Sequence, residues 1–200
     1  MSTRIVGITG GIGSGKSCVS RLLASYCNIP LINIDQRCKD LLEKGAPGWQ
    51  ALHANLNATF FDEKGRLNRS VLRDAIFNNH VLRKKVDSLL HPLVQVRLQK
   101  EITSLKSSFA LVEIPLLYEA GWQDDMDCVV VVYVQPELQC QRIMLRDGVS
   151  RQQATASIAS QIDLAQKKQA ADHVIDNSEA WTTTRKAVLV LAEQLEDHYL

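Results

Sequence analysis

Short runs of β-branched and apolar residues alternate along the chain with longer segments in which apolar residues recur every three or four positions. The clearest short runs are 4–9, 29–35, 109–114, 128–134 and 172–176. Each has the length and composition of a β-strand, and the apolar run at 128–134 is typical of a parallel strand covered on both faces. Segments of helical periodicity separate these runs. The alternation predicts the α/β class, with a three-layer α/β/α core around a five-stranded, mostly parallel sheet.

One long segment, 47–106, interrupts this alternation because it contains no convincing strand. Asn68 is predicted to be the N-cap of a helix over 69–77. A further helix is predicted over 80–90, and Pro92 is expected to open another, since proline is tolerated in a first helical turn. We therefore predict a helical insertion at 47–106 between two parts of the core, 1–46 and 107–200.

A glycine-rich sequence joins the first predicted strand to the first predicted helix. It reads GGIGSGKS over residues 10–17 and fits the pattern G-x-x-x-x-G-K-[ST]. The glycines let successive backbone N–H groups turn toward one point, and the following helix adds the positive end of its dipole. Lys16 can then reach the β- and γ-phosphates, and the Ser17 hydroxyl can ligate Mg²⁺. The residues expected to contact ATP are Gly11, Ile12, Gly13, Ser14, Gly15, Lys16, Ser17 and Cys18.

The agreement of all eight residues and both flanks favours a nucleoside triphosphate site over a glycine turn that binds nothing. A phosphate loop alone does not distinguish a kinase from a GTPase or a motor ATPase. However, the sequence contains no N-K-x-D guanine motif, and Asp35 is expected at the carboxyl end of the second strand, where catalytic groups gather. A late group of cations is typical of a lid, expected at about 142–168, that closes over ATP. These cations are Arg142, Arg146, Arg151, Lys167 and Lys168.

The charge is nearly balanced overall but uneven along the chain. A net charge of +1 argues against a general nucleic-acid or membrane-surface binder. The segment from Lys64 to Lys106 contains ten lysines and arginines but only three acids. This excess is either a solvated helical face or a surface for a second polyanionic ligand, and the sequence leaves both readings open.

The five cysteines are scattered and form no C-x-x-C pair, which indicates a reducing compartment rather than a disulfide framework or a zinc site. The chain enters its first strand at once, so we expect no cleavable signal. The longest apolar run, 128–134, is far too short to span a bilayer. We expect a soluble cytoplasmic protein, a monomer or a weak homo-oligomer, with no nucleic-acid or membrane partner.

Several residues and segments occur in the order in which one known family carries them: 7–17, 34–35, 43–47, 65–69, 72–73, Phe77, 90–92, 115–119, Arg142, 146–147 and 174–177. On these segments the whole chain resembles the dephospho-CoA kinases. The resemblance implies transfer of the ATP γ-phosphoryl group to the ribose 3′-hydroxyl of dephospho-CoA, giving CoA and ADP. It also implies a P-loop kinase core with a helical CoA-binding domain and a lid.

The resemblance implies roles for individual residues. Asp35 matches the catalytic aspartate and would act as general base, and Lys16 is the other catalytic residue expected, through its contact with the phosphates. Arg142 matches an arginine that stabilises the transferring phosphoryl group. Arg146 matches a lid residue near ATP, and Asn177 lies in a loop that is expected near adenine. The other residues expected to bind the acceptor are Arg66, Arg69, Arg73, His91, Leu116 and Glu119.

The sequence departs from the family pattern at two positions. Asn33 replaces the first acid of the family's Asp-Ala-Asp motif, which puts in doubt the idea that both acids are needed. Cys18 stands where a threonine commonly follows the Walker serine, while Ser17 keeps the hydroxyl.

The residue types alone leave other readings open. Asp35 could instead cap the helix that follows it, and Glu113 could be a buried strand-end acid or an outer group of a Mg²⁺ site. Glu119 could bind the acceptor or hold neighbouring cations, and His91 is expected to shape its helix junction or touch CoA rather than perform chemistry. The rival functions are another P-loop kinase, acting on a nucleoside or nucleoside monophosphate, and a nucleotide-dependent switch.

Overall fold

Residues 3–199 are described by a computed structural model of the chain. Within them, parallel strands form a five-stranded sheet in the order β2-β3-β1-β4-β5, which confirms the predicted sheet. The strands are β1 (Arg4–Gly10), β2 (Leu31–Asn33), β3 (Phe109–Glu113), β4 (Cys128–Tyr133) and β5 (His173–Asp176). The helices are α1 (Lys16–Tyr26), α2 (Ile34–Leu41), α3 (Pro47–Asn55), α4 (Arg69–Asn78), α5 (His80–Ser104), α6 (Pro136–Asp147), α7 (Arg151–Ala159), α8 (Leu164–Gln169) and α9 (Trp181–Tyr199).

The chain divides into two compact units. One, the sheet unit, takes in Met1–Asn33 and Leu105–Leu200, and the other, the helical unit, is Ile34–Ser104. In the part of the chain that is described, no helix combines the length and apolar character needed to cross a membrane.

The core of the sheet unit lies between its central strands and two helices. Ile8 and Val130, on adjacent strands, are fully buried against Leu23 of α1 and Leu195 of α9. Burying a side chain of this size stabilises the fold by about 1.5–3 kcal/mol relative to exposure. The central strands are therefore held rigidly, and so is the loop that leaves the carboxyl end of β1.

The helical unit has a smaller core of its own. Leu52, Leu72 and Val86 are buried together, one each from α3, α4 and α5. The predicted start of α4 is confirmed, because the Asn68 side chain accepts a hydrogen bond from the Val71 N–H at 3.3 Å. This bond satisfies one of the N–H groups that the first turn of a helix leaves without a helical partner.

The prediction that Pro92 opens a new helix is wrong. Helix α5 runs without a break from His80 to Ser104 and has Pro92 inside it. A proline there removes the N–H that would bond to the carbonyl of Ser88. However, Val86 and Val94 are buried eight positions apart, on the same face of the helix. Burial of this face on both sides of the proline keeps the segment in one helix.

The predicted position of Asp35 at the end of a strand over 29–35 is also wrong. Strand β2 ends at Asn33, because it pairs only with β3 and only over Leu31–Asn33. Helix α2 begins at Ile34, so Asp35 lies in its first turn rather than at its cap. An acid in a first turn interacts favourably with the positive end of the helix dipole.

Candidate active site

The glycine-rich loop lies between the end of β1 and the start of α1. Gly13 and Gly15 have φ values of 77° and 85°, in the left-handed region that side chains other than glycine's disfavour. Gly15 is the N-cap of α1, and no side chain caps the helix there. The N–H groups of the first turn of α1 therefore face the loop, in the arrangement that favours phosphate binding.

Close packing also explains the glycine that begins the loop. A Cβ atom on Gly10 would lie 2.6 Å from the carbonyl oxygen of Val132 and 2.7 Å from the Ser14 hydroxyl. Neither contact is possible, so only glycine lets β1 pass this close to β4 and to the loop.

Lys16 and Ser17 share one carboxylate at the bottom of the loop. The Lys16 ammonium and the Ser17 hydroxyl each donate to Oε1 of Glu113, both at 2.6 Å. Burial would raise the pKa of Glu113, but the bonds from Lys16 and Ser17 and the charge of Lys16 lower it below its ordinary value. Glu113 is therefore an ionised partner that fixes both side chains. The sequence left this residue undecided.

Arg142 of α6 lies beside the loop with one nitrogen available. Its Nη2 donates to the carbonyl oxygen of Asn177 at 3.0 Å, while Nη1 is buried without a hydrogen-bond partner. Nη1 is 4.0 Å from the position that a Cβ on Gly15 would occupy. A buried guanidinium nitrogen with no partner next to a phosphate loop suits an anionic ligand.

Arg146, one turn further along α6, has a different environment. Its guanidinium forms two bonds to the neighbouring Asp147, at 2.7 and 2.8 Å, and is largely exposed. The structure thus places Arg142 against the loop and Arg146 in a surface ion pair, although both lie on one helix face.

Asn177 is buried, and its side chain bonds to protein groups at both ends. Its Nδ2 donates to the carbonyl oxygen of Ser14 at 2.8 Å, and its Oδ1 accepts from the Thr184 hydroxyl at 2.9 Å. The side chain therefore contacts the loop itself.

Two glutamines that belong to no motif of the sequence contact the same loop. Gln139 Nε2 donates to the carbonyl oxygen of Ile12 at 2.8 Å, and Gln161 Oε1 accepts from the Ile12 N–H at 2.9 Å. The one signal in the sequence was the position of Gln139, three residues before Arg142 and thus on the same side of α6.

Glu119 holds the segment between α7 and α8. Its Oε1 accepts from the buried Lys167 ammonium at 2.6 Å and from the Ile162 N–H at 3.0 Å. The contact of Glu119 with a cation is therefore present, while its Oε2 is buried without a hydrogen-bond partner, and the contact of Glu119 with the acceptor stays a prediction. Leu116, three residues earlier, lies in a turn and is 38% exposed.

The remaining cations of the predicted lid are on the surface. Arg151 pairs with Glu137 at 2.5 Å, and both side chains are mostly exposed. The Lys168 ammonium lies 4.4 Å from the centre of the Tyr133 ring. Helix α7 begins with a capping box in which Ser150 and Gln153 bond reciprocally.

The helical unit has a surface pocket of its own, with a volume of about 480 Å³. It is lined by Leu42, Glu43, Lys44, Asp62, Arg66, Leu67, Asn68, Arg69 and Ser70. Arg66 bonds to Asp62 and Arg69 to Glu43, each at 2.8 Å. The pocket therefore brings together two of the predicted acceptor-binding arginines.

The other predicted acceptor-binding residues of this unit lie outside the lining of that pocket. Arg73 is exposed on α4, and Asp35 is exposed on α2. His91 on α5 faces Asp87, with 4.0 Å between Nε2 and Oδ1.

A glycine loop between a parallel strand and a helix, with Lys16 and Ser17 held by Glu113 and Arg142 beside the loop, defines a P-loop nucleotide-binding protein of the kinase type. A family profile described as dephospho-CoA kinase matches residues 4–182. The chain belongs to the dephospho-CoA kinase family and is an ATP-using phosphotransferase, which confirms the family assignment made from the sequence.

Two individual relatives are named dephospho-CoA kinases, and a further solved structure shares the fold. The dephospho-CoA kinase of Yersinia pseudotuberculosis is 39% identical over 176 residues, covering 88% of this chain and 85% of its own length. The solved structure of the Campylobacter jejuni dephospho-CoA kinase has a TM-score of 0.71 and 25% identity, and covers 98% of each chain. A Thermus thermophilus crystal structure has a TM-score of 0.83 and 29% identity, and covers 98% of this chain and 99% of its own.

Proposed function

We infer that this chain transfers the γ-phosphoryl group of ATP to the ribose 3′-hydroxyl of dephospho-CoA, giving CoA and ADP. The observation that carries this inference is the family match over residues 4–182, which takes in the phosphate loop and the whole helical unit. The buried groups around the loop supply the chemistry that the reaction needs.

Phosphoryl transfer requires positive charge and fixed hydrogen-bond donors around the moving group, because charge is spread over its oxygens in the transition state. Lys16, held by Glu113, and Arg142, with Nη1 free to bond, meet this requirement. In the proposed mechanism Lys16 contacts the β- and γ-phosphates, and Arg142 stabilises the transferring group.

We propose Asp35 as the general base that accepts or orients the proton of the attacking hydroxyl. It follows the end of β2 by two residues and is exposed in the first turn of α2. Asn33 occupies the position of the family's other acid, and an amide cannot accept that proton. The mechanism therefore assigns the proton to a single carboxylate.

Mg²⁺ is part of the proposal, with Ser17 as its protein ligand. The Ser17 hydroxyl and the Glu113 carboxylate are adjacent oxygen groups of the kind that Mg²⁺ prefers, so the residues present fit the ion. Residues 3–199 contain no cluster of three or more acids, histidines or cysteines placed to hold a metal by themselves. Nucleotide phosphates would complete the ligand set, and the bound ion would neutralise charge on the β- and γ-phosphates.

We propose the pocket of the helical unit as the place where this unit binds phosphate groups of dephospho-CoA. Arg66 and Arg69 offer forked donors that suit phosphate oxygens. Their present partners, Asp62 and Glu43, are accessible to solvent, and ion pairs this exposed are weak because water screens both charges. A phosphate can therefore displace a carboxylate from either arginine. Further predicted contacts are Arg73, His91, Leu116 and Glu119.

The proposal includes a cytoplasmic location and a monomeric or weakly associating state. None of the five cysteines is part of a disulfide, and three of them are buried, which suits a reducing compartment. Light scattering at several protein concentrations measures the oligomeric state.

The experiment that tests the function is an assay of ADP release from Mg-ATP with dephospho-CoA, AMP, adenosine or no acceptor, together with chromatography of the product. We expect strong stimulation by dephospho-CoA alone and the formation of CoA. The Lys16→Ala variant, purified in parallel, controls for contaminating kinases. Stimulation by AMP or adenosine instead would favour another P-loop kinase, and ATP binding without stimulation by any acceptor would favour a nucleotide-dependent switch.

A further inference from the structure

Three side-chain amides bond to three different peptide groups of the phosphate loop. Gln161 accepts from the Ile12 N–H, Gln139 donates to the Ile12 carbonyl, and Asn177 donates to the Ser14 carbonyl. They come from distant parts of the sheet unit: the segment after α7, helix α6 and the end of β5. The loop is thus held from outside along most of its length.

Each of these bonds fixes the orientation of a whole peptide plane. In a trans peptide the C=O and the N–H of the plane point in opposite directions. Because Gln139 holds the Ile12 carbonyl, the Gly13 N–H points away from Gln139. Because Asn177 holds the Ser14 carbonyl, the Gly15 N–H points away from Asn177.

The bond from Gln161 acts on the preceding plane. It holds the Ile12 N–H, so the Gly11 carbonyl of the same plane points the other way. That carbonyl accepts the Ser14 N–H at 3.1 Å, a bond that closes the loop on itself. Gln161 therefore supports the turn from which the loop N–H groups project.

Two glycines of the loop make room for these amides. A Cβ on Gly11 would lie 2.5 Å from Gln139 Nε2, and a Cβ on Gly15 would lie 2.3 Å from Asn177 Nδ2. Part of the glycine requirement of the loop thus comes from the side chains that hold it.

The side chains that hold the loop are themselves fixed. Gln139 and Asn177 are buried, and the Thr184 hydroxyl orients the Asn177 amide by donating to its oxygen. Gln161 is followed at once by Ile162, whose N–H bonds to Glu119, and Glu119 in turn holds Lys167. The segment between α7 and α8 is thereby connected to the loop through Gln161.

We propose that Gln139, Gln161 and Asn177 are positioning residues that aim the N–H groups of Gly13 and Gly15 at the phosphates of the nucleotide. This rests on the proposed function only in that the ligand of the loop is ATP or ADP. None of the three side chains needs to touch the nucleotide for this role. Because Gln161 bonds to the Ile12 N–H, the conformation of the loop also depends on the position of the segment between α7 and α8.

The test is a calorimetric titration with Mg-ADP on variants that remove one bond each with little change in volume. Gln139→Met and Asn177→Leu are expected to weaken ADP binding about tenfold, as for the loss of one hydrogen bond that orders the site. Gln161→Met is expected to weaken it by about three- to tenfold. Gln152→Met, an exposed glutamine on α7, is the matched control and is expected to bind as the wild type does.

Glutamate substitutions show whether a variant loses ADP affinity because its hydrogen bond to the loop is lost or because an added negative charge repels the phosphates. Gln161 is an acceptor, so Gln161→Glu keeps its bond and is expected to recover most of the affinity lost in Gln161→Met. Gln139 is a donor, so Gln139→Glu places an acceptor against a carbonyl and is expected to bind ADP no better than Gln139→Met. Equal losses in the two glutamate variants would overturn the proposal, because added negative charge would then explain both.

Kinetics separate positioning from a general loss of structure. We expect the KM for ATP to rise in Gln139→Met while the KM for dephospho-CoA stays within about twofold, because the altered bonds lie at the nucleotide loop. If Asn177→Leu does not fold, Thr184→Val removes the hydroxyl that orients Asn177, and a several-fold loss of ADP affinity is expected. Wild-type ADP affinity in Gln139→Met, or in the folded Asn177 or Thr184 variant, would overturn the proposal.

Failure of this inference is distinguishable from failure of the proposed function. A wild-type protein that binds ADP but makes no CoA would contradict the proposed function and leave the titrations fully interpretable. A wild type that makes CoA, with variants that bind ADP normally, would contradict the positioning role alone.

Discussion

The two units of the chain hold their candidate site residues in opposite ways. In the sheet unit, Lys16 and Glu113 have side chains only 10% and 3% exposed and are bonded to each other. In the helical unit, the Arg66 and Arg69 side chains are 65% and 37% exposed and pair with acids around an open pocket. The nucleotide site is thus built into the folded chain, whereas the proposed acceptor contacts would have to exchange one partner for another.

The difference predicts unequal effects of substitution. Removing one partner of a buried ion pair leaves an uncompensated charge, at a cost of about 3–5 kcal/mol. Removing one partner of an exposed pair changes stability by about 0–1 kcal/mol. Substitutions in the buried Lys16–Glu113 pair should therefore alter both stability and ATP use, whereas those of the exposed site residues in the helical unit should act on acceptor binding or on chemistry with little change in stability.

The largest effect is expected from Lys16→Ala. It removes the charge proposed to contact the β- and γ-phosphates, and turnover should fall by about 10³-fold or more, as for the loss of a group that stabilises transition-state charge. ADP affinity measured by calorimetry should fall as well. Lys186→Ala, an exposed lysine on α9, is the matched control. Unchanged ADP binding and rate in Lys16→Ala would contradict the assignment of the phosphate loop.

Glu113→Gln is expected to destabilise the protein by about 3 kcal/mol near neutral pH, because it leaves the buried Lys16 ammonium without its carboxylate. Urea denaturation measures the free energy of unfolding, and Glu179→Gln, an exposed acid of the same unit, is the control. A loss no larger than that of the control would mean that the buried site is not the more sensitive of the two.

The same pair predicts a pH dependence with a definite sign. The pKa of Glu113 in the folded protein is lower than its ordinary 4.5. Its stabilising contribution is therefore complete above that value and is lost as the pH falls through the lower folded pKa. Wild-type stability should drop on acidification below about pH 4.5, and the drop should be smaller in Glu113→Gln. If the free energy of unfolding falls equally with pH in both proteins, Glu113 has no role in acid stability.

Features with a local cause could be predicted from the sequence. The glycine loop and the Asn68 cap depend on residues within a few positions of each other, and the structure contains both. Pro92 and Asp35 were misplaced because tertiary structure overrode local signals. Burial of one face carries α5 through the proline, and the short pairing of β2 with β3 ends the strand before Asp35.

The supports of the loop were beyond local reasoning for a different reason. Gln139 and Gln161 contact Ile12 across 127 and 149 residues of sequence. The position of Gln139 on the same side of α6 as Arg142 was the one local signal, and Gln161, which lies between α7 and α8, carries none. The chemistry-bearing residues Lys16 and Ser17 are specified by their motif, whereas the residues that orient the motif are specified only by the fold.

Asp35→Asn should separate chemistry from packing within the helical unit. Asp35 is exposed, so stability should hardly change, but kcat should fall by about 10²-fold because an amide cannot act as the general base. ADP affinity should stay near the wild-type value. Asp40→Asn, on the same helix, is the matched control. A kcat close to that of the control would remove Asp35 from the mechanism.

Arg69→Ala tests the exchangeable character of the pocket. The KM for dephospho-CoA should rise by about tenfold, as expected when one charged hydrogen-bonding partner of a phosphate is lost, with ADP affinity and stability nearly unchanged. Arg83→Ala, a comparably exposed arginine of the same unit paired with Asp87 at 3.8 Å, is the control. If the KM for dephospho-CoA stays at the wild-type value in both variants, the basic excess of this unit is a solvated face, and the pocket is not the acceptor site.

The smallest effect is expected from Asn68→Ala, which removes the cap of α4. The loss should be about 1 kcal/mol of helix stability. It should appear as faster amide hydrogen exchange over Arg69–Asn78, with no change over Lys16–Tyr26 in the other unit. Asn68→Asp keeps an acceptor oxygen for the Val71 N–H and should restore protection. Exchange that accelerates equally in α4 and α1 would mean that the two units unfold together. Loss of the α4 cap would then destabilise the nucleotide loop as well, because the stability of the two units would be shared.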